Sequence, residues 1–287
     1  MQKVYIENSR GRVEFYKSRP FILQSISGLS NPNTRNITTQ APGQDGVSRH
    51  GSNFEARTLL LEVGVIGEDK QDMYRLRNKL YSVLNGRLNS KLVYENSYKS
   101  YSIDCSIENI TEGEKLRNIQ QIILQLYCPD PFWSDIDEIK EEVAMWLGNF
   151  HFPLIIPKGE GIIMGSRVSN LIVNVLNKGD VPCGMTIEFV CTKTVKNISL
   201  FNVYTREYIK VKGSFKAGDL IRITTQFGNK RVELIRNGVS SNIFHYLDID
   251  SVFLQLDLGD NVFRYDADSG IDNLEVSIYY KPKYLGV

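Results

Sequence analysis

The first half of the chain alternates apolar and polar residues with the two-residue period of β-strands. Apolar, β-branched stretches at Phe21–Leu29 and Arg57–Ile66 predict strands, and so does the alternation in Lys91–Glu95, Tyr101–Ile107 and Ile119–Tyr127. Because side chains two residues apart lie on one face of a strand, half of each segment is expected to face a core.

One segment follows the helical period instead. Apolar residues recur at spacings of three and four at Met73, Leu76, Leu80 and Leu84. Asp69 is a good N-cap, Asp72 lies near the positive end of the helix dipole, and Asn85-Gly86 is a typical stop. The pattern predicts a half-exposed helix over residues 69–85 that lies on a sheet.

The second half is almost entirely strand-like. Its predicted strands are Asn170–Leu176, Met185–Cys191, Ile198–Val203, Tyr208–Lys212, Leu220–Gln226, Arg231–Arg236, Val252–Leu258, Asn261–Tyr265 and Leu274–Tyr280. Turn signals such as Gly228-Asn229 and Gly259-Asp260-Asn261 separate them, with no helix between. This spacing favours a mainly β fold whose second half is a β-sandwich of the jelly-roll kind.

A domain boundary is predicted where the strand pattern breaks. Two prolines in Cys128-Pro129-Asp130-Pro131-Phe132-Trp133 end the preceding strand. We therefore predict one domain over residues 1–134 and a second over residues 135–287. The segment Asp135–Leu147 carries apolar residues at helical spacing, and both a short helix and an extended crossover strap remain open for it.

A long polar segment separates the first two predicted strands. Residues 30–53 are rich in Asn, Gly, Pro, Ser and Thr, which is too polar for a core and too long for a tight turn. Loops of this length are usually functional or disordered. His50 lies within it beside Ser48, but a flexible loop cannot orient a nucleophile and its base. We predict a solvated loop.

Composition excludes several classes of protein. The 287 residues carry a formal net charge of +1, with an apolar fraction of 42%, so the charge gives no footprint for nucleic acid or an anionic membrane. The N-terminal residues have no apolar core of a secretory signal, and runs such as Phe152–Pro157 are too short to span a bilayer. The protein is therefore expected to be made and kept in a cytoplasm until another process moves it.

Candidate chemistry is sparse. Four scattered cysteines, with no CxxC pair, predict buried free thiols; a Cys183–Cys191 bridge would need their strands to meet. His50, His151 and His245 form no metal or triad motif. The run from Asp266 partly imitates a calcium loop, but Ile271 and Ser277 stand where that loop needs Gly and Glu, so a turn is favoured. We predict no catalytic residue, cofactor or metal.

Four stretches, taken in order, resemble the distal tail protein family of long-tailed, siphovirus-type phages. They are Ala41-Pro42-Gly43-Gln44-Asp45-Gly46 after the strand Phe21–Leu29, the strand–helix–strand order of residues 57–95, the exit Asp130-Pro131-Phe132-Trp133, and the run from Gly218-Asp219 through Gly228-Asn229 to Gly259-Asp260-Asn261. The ending Tyr279–Val287 fits as well, so the resemblance spans essentially the whole chain.

The resemblance implies a structural hub protein and no enzyme. It implies an N-terminal β-sandwich-like, ring-forming domain with one packed α-helix and a C-terminal galectin-like sandwich. Copies of the chain would form a hexameric ring in the virion, at the tip of the tail. Expected partners are the tail tube protein, the tail-associated or tail-tip protein and, as a further candidate, a receptor-binding protein. Gln44, Asp45 and Gly46 are the candidate assembly residues. They lie in residues 36–56, which are expected to be disordered or mobile in a free monomer and to become ordered against a neighbouring copy or the tube.

Two other classes compete with the hub. A carbohydrate-binding adhesin or receptor-binding component of the same particle would use the C-terminal sandwich, although neither Trp133 nor Trp146 lies in a strand typical of galectin sugar sites. A glycosidase would need two opposed carboxylates, and no such constellation stands out. A siphophage, a prophage, a tail-derived bacteriocin and a contractile-tail baseplate all remain open as the source.

Overall fold

The computed structural model describes residues 2–148, 165–168 and 172–287. These residues divide into two compact units, Met1–Ile136 with Lys283–Val287 (unit 1) and Asp137–Pro282 (unit 2). His151 and the apolar run Phe152–Pro157 lie outside the described residues, as does the beginning of the predicted strand Asn170–Leu176.

Unit 1 contains one helix among many strands. The helix is α1 (Lys70–Val83), and the strands are β1 (Lys3–Asn8), β2 (Gly11–Phe15), β3 (Phe21–Ser27), β4 (Thr34–Thr39), β5 (Ser48–Phe54), β6 (Arg57–Ile66), β7 (Ser90–Glu95), β8 (Ser100–Leu116), β9 (Ile119–Cys128) and β10 (Trp133–Asp135).

The main sheet of unit 1 runs β2-β1-β7-β8-β9-β6-β3, with antiparallel neighbours throughout this path. Strand β8 joins the two halves of this path, because its first residues pair with β7 and its later residues with β9. Alternate side chains of β6 and β9 are buried, which explains why their two-residue pattern predicted them correctly. The resulting core includes Phe15, Leu61, Leu124 and Trp133.

Helix α1 confirms the predicted helix. The Asp69 side chain accepts a hydrogen bond from the Asp72 amide at 2.7 Å, which caps the first turn. Met73, Leu80 and Val83 are buried against the sheet, while the opposite face is exposed. The apolar stripe therefore anchors the helix to the core of unit 1.

Unit 2 is built from strands and short 3₁₀ turns among its described residues. The strands are β11 (Ile139–Gly148), β12 (Gly165–Val168), β13 (Ile172–Asn177), β14 (Met185–Cys191), β15 (Val195–Asn202), β16 (Tyr208–Phe215), β17 (Leu220–Thr224), β18 (Arg231–Arg236), β19 (Val239–Asn242), β20 (Gly259–Ser269) and β21 (Leu274–Tyr280), and β22 (Lys283–Tyr284) follows in unit 1.

The strands of unit 2 form two sheets around one core. One sheet runs β12-β11-β21-β14-β17-β18-β19 and the other runs β13-β20-β15-β16. Phe189 and Ile278 of the first sheet share an apolar cluster with Leu200 and Phe263 of the second. Unit 2 is therefore a β-sandwich, and the prediction of a mainly β chain with one packed helix is confirmed.

One open prediction is resolved by the structure, and one predicted strand is wrong. The open choice for Asp135–Leu147 resolves as strand, since Ile139–Gly148 forms β11 and pairs with β21. The predicted strand Val252–Leu258 was wrong. Leu254 and Leu256 are buried as the alternation requires, but only Leu256 makes a β-bridge, to Cys183, so the segment has no continuous partner strand. Burial and strand pairing are separate conditions, and the pattern reports only burial.

Candidate functional site

An exposed β-hairpin stands where a loop was predicted. Strands β4 and β5 pair antiparallel with each other, with a register shift between Ile37 and Thr38, and with no other strand in the part of the chain that the structure describes. Every residue of β4 and nearly every residue of β5 is exposed. The segment has no buried face, so its composition resembled a loop. We call residues 34–54 the arm.

The tip of the arm is a tight turn organised by Gln44. The Gln44 amide donates to the Ala41 carbonyl at 3.1 Å, and its side-chain Oε1 accepts from the Ala41 amide at 3.0 Å. Pro42 precedes Gly43, whose φ of 76° is the left-handed value that the third position of a type II turn requires. Asp45 follows, exposed beside Gly46. The three candidate residues Gln44, Asp45 and Gly46 thus occupy one surface point at the arm tip.

Apolar side chains are exposed along the arm. Ile37 is 49% exposed and Val47 is 57% exposed. At the base, Phe54 packs edge-on against Phe132 with ring centroids 5.5 Å apart. On the surface of the arm, His50 Nε2 lies within hydrogen-bond distance of the Thr39 hydroxyl, at 2.6 Å. The arm therefore presents apolar side chains to solvent.

The last residues of the chain dock on the exit motif of unit 1. Strand β22 pairs with β10, so that Tyr284 lies opposite Trp133. Lys283 forms an ion pair with Asp130 at 2.6 Å, and the Tyr284 hydroxyl accepts from Lys99 Nζ at 2.8 Å. The sequence gives no local signal for this return, since the paired strands lie about 150 residues apart along the chain.

Arg57 joins three segments beneath that docked end. Its side chain is buried, and its guanidinium donates to the carbonyls of Gly28 (2.9 Å), Ser30 (2.8 Å) and Leu285. The Trp133 ring lies 5.8 Å from the guanidinium carbon. Burial lowers the pKa of Arg57, with no carboxylate beside it to offset the desolvation.

In unit 2, the Gly218-Asp219 motif places a buried carboxylate in an ion pair with a half-exposed arginine. Arg236 donates from Nε and Nη2 to the two Asp219 carboxylate oxygens at 2.7 and 2.6 Å, and the Lys216 amide donates to Asp219 at 2.7 Å. The Asp219 side chain is 1% exposed, whereas that of Arg236 is 46% exposed. The Arg236 hydrogen bonds hold the pKa of Asp219 below its usual value.

The Gly259-Asp260-Asn261 motif is also structural. Asn261 is buried; its amide nitrogen donates to the carbonyls of Asp257 (2.8 Å) and Gly259 (3.0 Å), and its Oδ1 accepts from the Asp257 amide at 2.9 Å. Gly259 takes a left-handed φ of 81° at the start of β20. The residues that carry the resemblance in unit 2 therefore shape turns.

An open cleft lies on unit 2 at the hairpin between β17 and β18. It has a volume of about 470 Å³, and it is lined by Phe227, Lys230 and Phe253 with Glu207, Gln255 and Asp257. Phe227 is 80% exposed, and Lys230 Nζ lies 5.3 Å from the Phe227 ring centroid and 5.0 Å from that of Phe253. Gln255 Oε1 is buried there without a hydrogen-bond partner. Aromatic faces and one unpaired buried amide oxygen therefore meet in one concavity.

The other predicted candidates lie apart. The aspartates from Asp266 onward end β20 and enter a 3₁₀ turn at Ile271–Asn273, and Asp268 forms an ion pair with Lys210 at 2.8 Å. Within the described residues, no group of three or more His, Cys, Asp or Glu side chains is arranged to hold a metal ion. No helix among them has the length and apolarity of a membrane span.

The comparisons with known proteins match both units. Residues 9–128 match the family described as phage tail protein RIFT-related domain, and residues 178–284 match the siphovirus-type tail component, C-terminal domain. No curated protein sequence matches the chain.

Solved structures share the fold. The SPP1 Dit (gp 19.1) protein, described as a paradigm of the hub adsorption apparatus in phages infecting Gram-positive bacteria, superposes with a TM-score of 0.72 at 17% identity, over 98% of this chain and 99% of that one. A chain of the phage P2 baseplate in its activated conformation with calcium gives a TM-score of 0.58 at 12% identity, with full coverage of both chains. With its two tail-component domains in this order, the chain belongs to the distal tail protein family of siphovirus-type phages.

Proposed function

We propose that this tail protein is the structural hub of the tail tip: copies form a hexameric ring that joins the tail tube to the host-adsorption apparatus. Residues 1–134 would form the ring, and residues 135–287 would face outward. The observation that carries the proposal is the succession of two tail-component domains along a chain that shares the SPP1 Dit fold over 98% of its length.

The proposed contacts follow from this role. The tail tube protein binds one side of the ring, and the tail-associated or tail-tip protein binds the other, with a receptor-binding protein as a further partner. The hub is made in the host cytoplasm, becomes part of the virion and catalyses no reaction. Strand edges and exposed loops of neighbouring copies meet in the ring, which removes unpaired edges from solvent.

Within the ring, the arm is proposed to contact the neighbouring copy. Its strands add nothing to the core of unit 1, yet the arm exposes Ile37 in β4 and Val47 just before β5. Apolar side chains on a solvated hairpin gain free energy when a partner covers them. Gln44 holds the tip in one conformation before assembly, which reduces the entropy lost on binding.

Replacing Val47 by aspartate tests the arm. The Val47→Asp variant is expected to weaken ring formation at least tenfold, because the contact would bury an unpaired carboxylate. The matched control is Val239→Asp, which changes a 69% exposed valine in unit 2. Light scattering distinguishes ring from monomer by mass. The amide exchange of residues 40–47 is then compared between the two states. Equal exchange in both states, with equal assembly of both variants, would show that the arm is not part of the ring interface.

A second candidate function, glycan binding, is favoured by the aromatic cleft alone. The exposed face of Phe227 can pack on the C–H face of a sugar ring. Glu207 and Asp257 supply acceptors for hydroxyl groups, and Lys230 supplies a donor at the same opening. The cleft volume lies in the range typical of small-ligand sites.

Removing the Phe227 ring tests that second function. Full-length protein is screened against host cell-wall glycans, and Phe227→Ala is expected to weaken binding of any hit by about tenfold. The control is Tyr98→Ala, since Tyr98 is 88% exposed in unit 1 and lies far from the cleft along the chain. A silent screen, or equal loss in both variants, rejects glycan binding at the cleft and leaves the hub proposal standing.

A further inference from the structure

Two buried cysteines of unit 1 lie on neighbouring antiparallel strands. The register of β8 and β9 places Ser106 opposite Tyr127 and Ile107 opposite Leu126. Continued by one residue, the same register places Cys105 opposite Cys128, the last residue of β9. Burial follows the same alternation, since Cys105 and Ile107 are buried, as are Leu126 and Cys128. Both thiols therefore face the core from the same side of the sheet.

The separation of such a pair suits a disulfide. Residues opposite each other in an antiparallel ladder have Cα atoms about 4.5–5.5 Å apart. A disulfide bridges Cα atoms about 4.4–6.8 Å apart. Both cysteines are free in this structure, and they are hydrogen-bonded to each other. That hydrogen bond, followed by burial, raises the pKa of Cys128, so Cys128 is held as a thiol.

A route to the pair exists through Cys105. A cavity of about 820 Å³ opens at the ends of β1, β2 and β7, and Cys105 lines it together with Asp104 and Lys91. The Cys105 side chain retains 4% exposure, whereas Cys128 has none. A small reagent in the cavity therefore meets Cys105 first. Cys128 is its cross-strand neighbour in the continued β8–β9 register.

Charges around the pair come from two strands. Arg57 lies opposite Cys128 in the β6–β9 register, and its guanidinium interacts electrostatically with that thiol. The Arg57 charge lowers the pKa of Cys128, whereas the Asp104 carboxylate raises it. The Arg57 guanidinium opposes part of the rise in the Cys128 pKa, and its charge can stabilise the thiolate that Cys128 must form when it attacks Cys105.

We propose that Cys105 and Cys128 are an oxidative modification site, at which a low-molecular-weight disulfide closes an intramolecular disulfide. The Cys105 thiolate attacks one sulfur of the reagent, forming a mixed disulfide and releasing one thiol. The Cys128 thiolate then attacks Cys105 Sγ and releases the second thiol. Two protein thiols are oxidised, one reagent disulfide is reduced to two thiols, and the two protein thiol protons pass to the departing thiolates.

The bond would form when the protein leaves a reducing compartment. Cytosolic glutathione and thioredoxin keep thiols reduced, whereas extracellular conditions allow disulfides to persist. The closed bond would connect β8 to β9 at the end of both strands and restrict the unfolded chain between residues 105 and 128. Unit 1 would be stiffened after assembly, and its folding in the host would not depend on the bond.

Cys183 and Cys191 provide an internal control. They lie eight residues apart along one extended segment, opposite Leu256 and Leu274. Extended chain rises about 3.3 Å per residue, so these thiols are separated by roughly 25 Å. The condition for a Cys183–Cys191 bridge is therefore not met, and burial raises the pKa of Cys191 to about 12.

The experiment treats the folded full-length protein with oxidised glutathione, then unfolds it in denaturant with an alkylating reagent that labels every free thiol, and maps the peptides by mass spectrometry. The expected result is loss of two of the four alkylatable thiols and a crosslinked peptide pair containing Cys105 and Cys128. The double variant Cys183→Ser/Cys191→Ser should give the same crosslink, and Cys128→Ser should trap a single glutathione on Cys105. Four free thiols after prolonged treatment, or crosslinks involving Cys183 or Cys191, would overturn the proposal.

Discussion

Replacing Arg57 by methionine is expected to lower the free energy of unfolding of unit 1 by about 3 kcal/mol, because three charge-assisted hydrogen bonds to buried carbonyls are lost at once. The methionine fills much of the same volume beside Trp133, so the loss reports the polar contacts. The Val287 amide donates to the Leu29 carbonyl within the docked end, and its exchange rate should rise in the variant. Denaturant unfolding and amide exchange measure both effects.

The control for Arg57 is the same substitution at Arg12. Arg12 pairs with Glu14 at 2.8 Å on the surface of the same unit, where both side chains are exposed. Exposed pairs contribute at most about 1 kcal/mol. An Arg57→Met variant as stable as Arg12→Met, with unchanged exchange at Val287, would show that Arg57 does not hold the C-terminal segment.

Replacing Arg236 by methionine is expected to destabilise unit 2 by about 2–3 kcal/mol at pH 7, since the Asp219 carboxylate would stay buried without its cation. In the native protein the pKa of Asp219 is lowered, so the pair stabilises the fold above the pKa of an unfolded aspartate and this stability is lost as pH falls through the lowered value. In the variant, the unpaired buried carboxyl should instead have a raised pKa.

The free energies of unfolding of the native protein and of the Arg236→Met variant should therefore converge at low pH. The difference in free energy of unfolding is expected to be largest near pH 7 and to shrink as pH is lowered towards 4, because protonation removes the buried charge in the variant. The control is Arg222→Met, whose partner Glu188 is more exposed than Asp219. A difference independent of pH, or equal costs for the two arginines, would contradict the assignment.

The strands that the sequence pattern predicted well are those with one buried face. Strands β6, β14, β18 and β21 match their predicted bounds, because a half-buried strand must alternate apolar and polar residues. The strands of the arm were not predicted, because neither face of the arm is buried. Both of its faces are solvated, so no alternation distinguishes its strands from a loop.

Contacts between distant parts of the chain were beyond the reach of the pattern. The docking of Tyr284 beside Trp133 depends on how unit 1 folds, and no local feature of the last residues encodes it. The cleft likewise combines Glu207, Phe227 and Asp257 from three separate segments. The Gly218-Asp219 motif was visible as a turn, but its partner Arg236 became evident only from the pairing of β17 with β18.

The central claim is that this chain assembles into the ring of a tail hub. Light scattering of the purified full-length protein over a range of concentrations, combined with negative-stain imaging and with the tail tube protein added in a parallel series, tests it most directly. We expect a mass of six copies and ring images with six-fold symmetry. A monomer mass at every concentration, with and without the tube protein, would contradict the account.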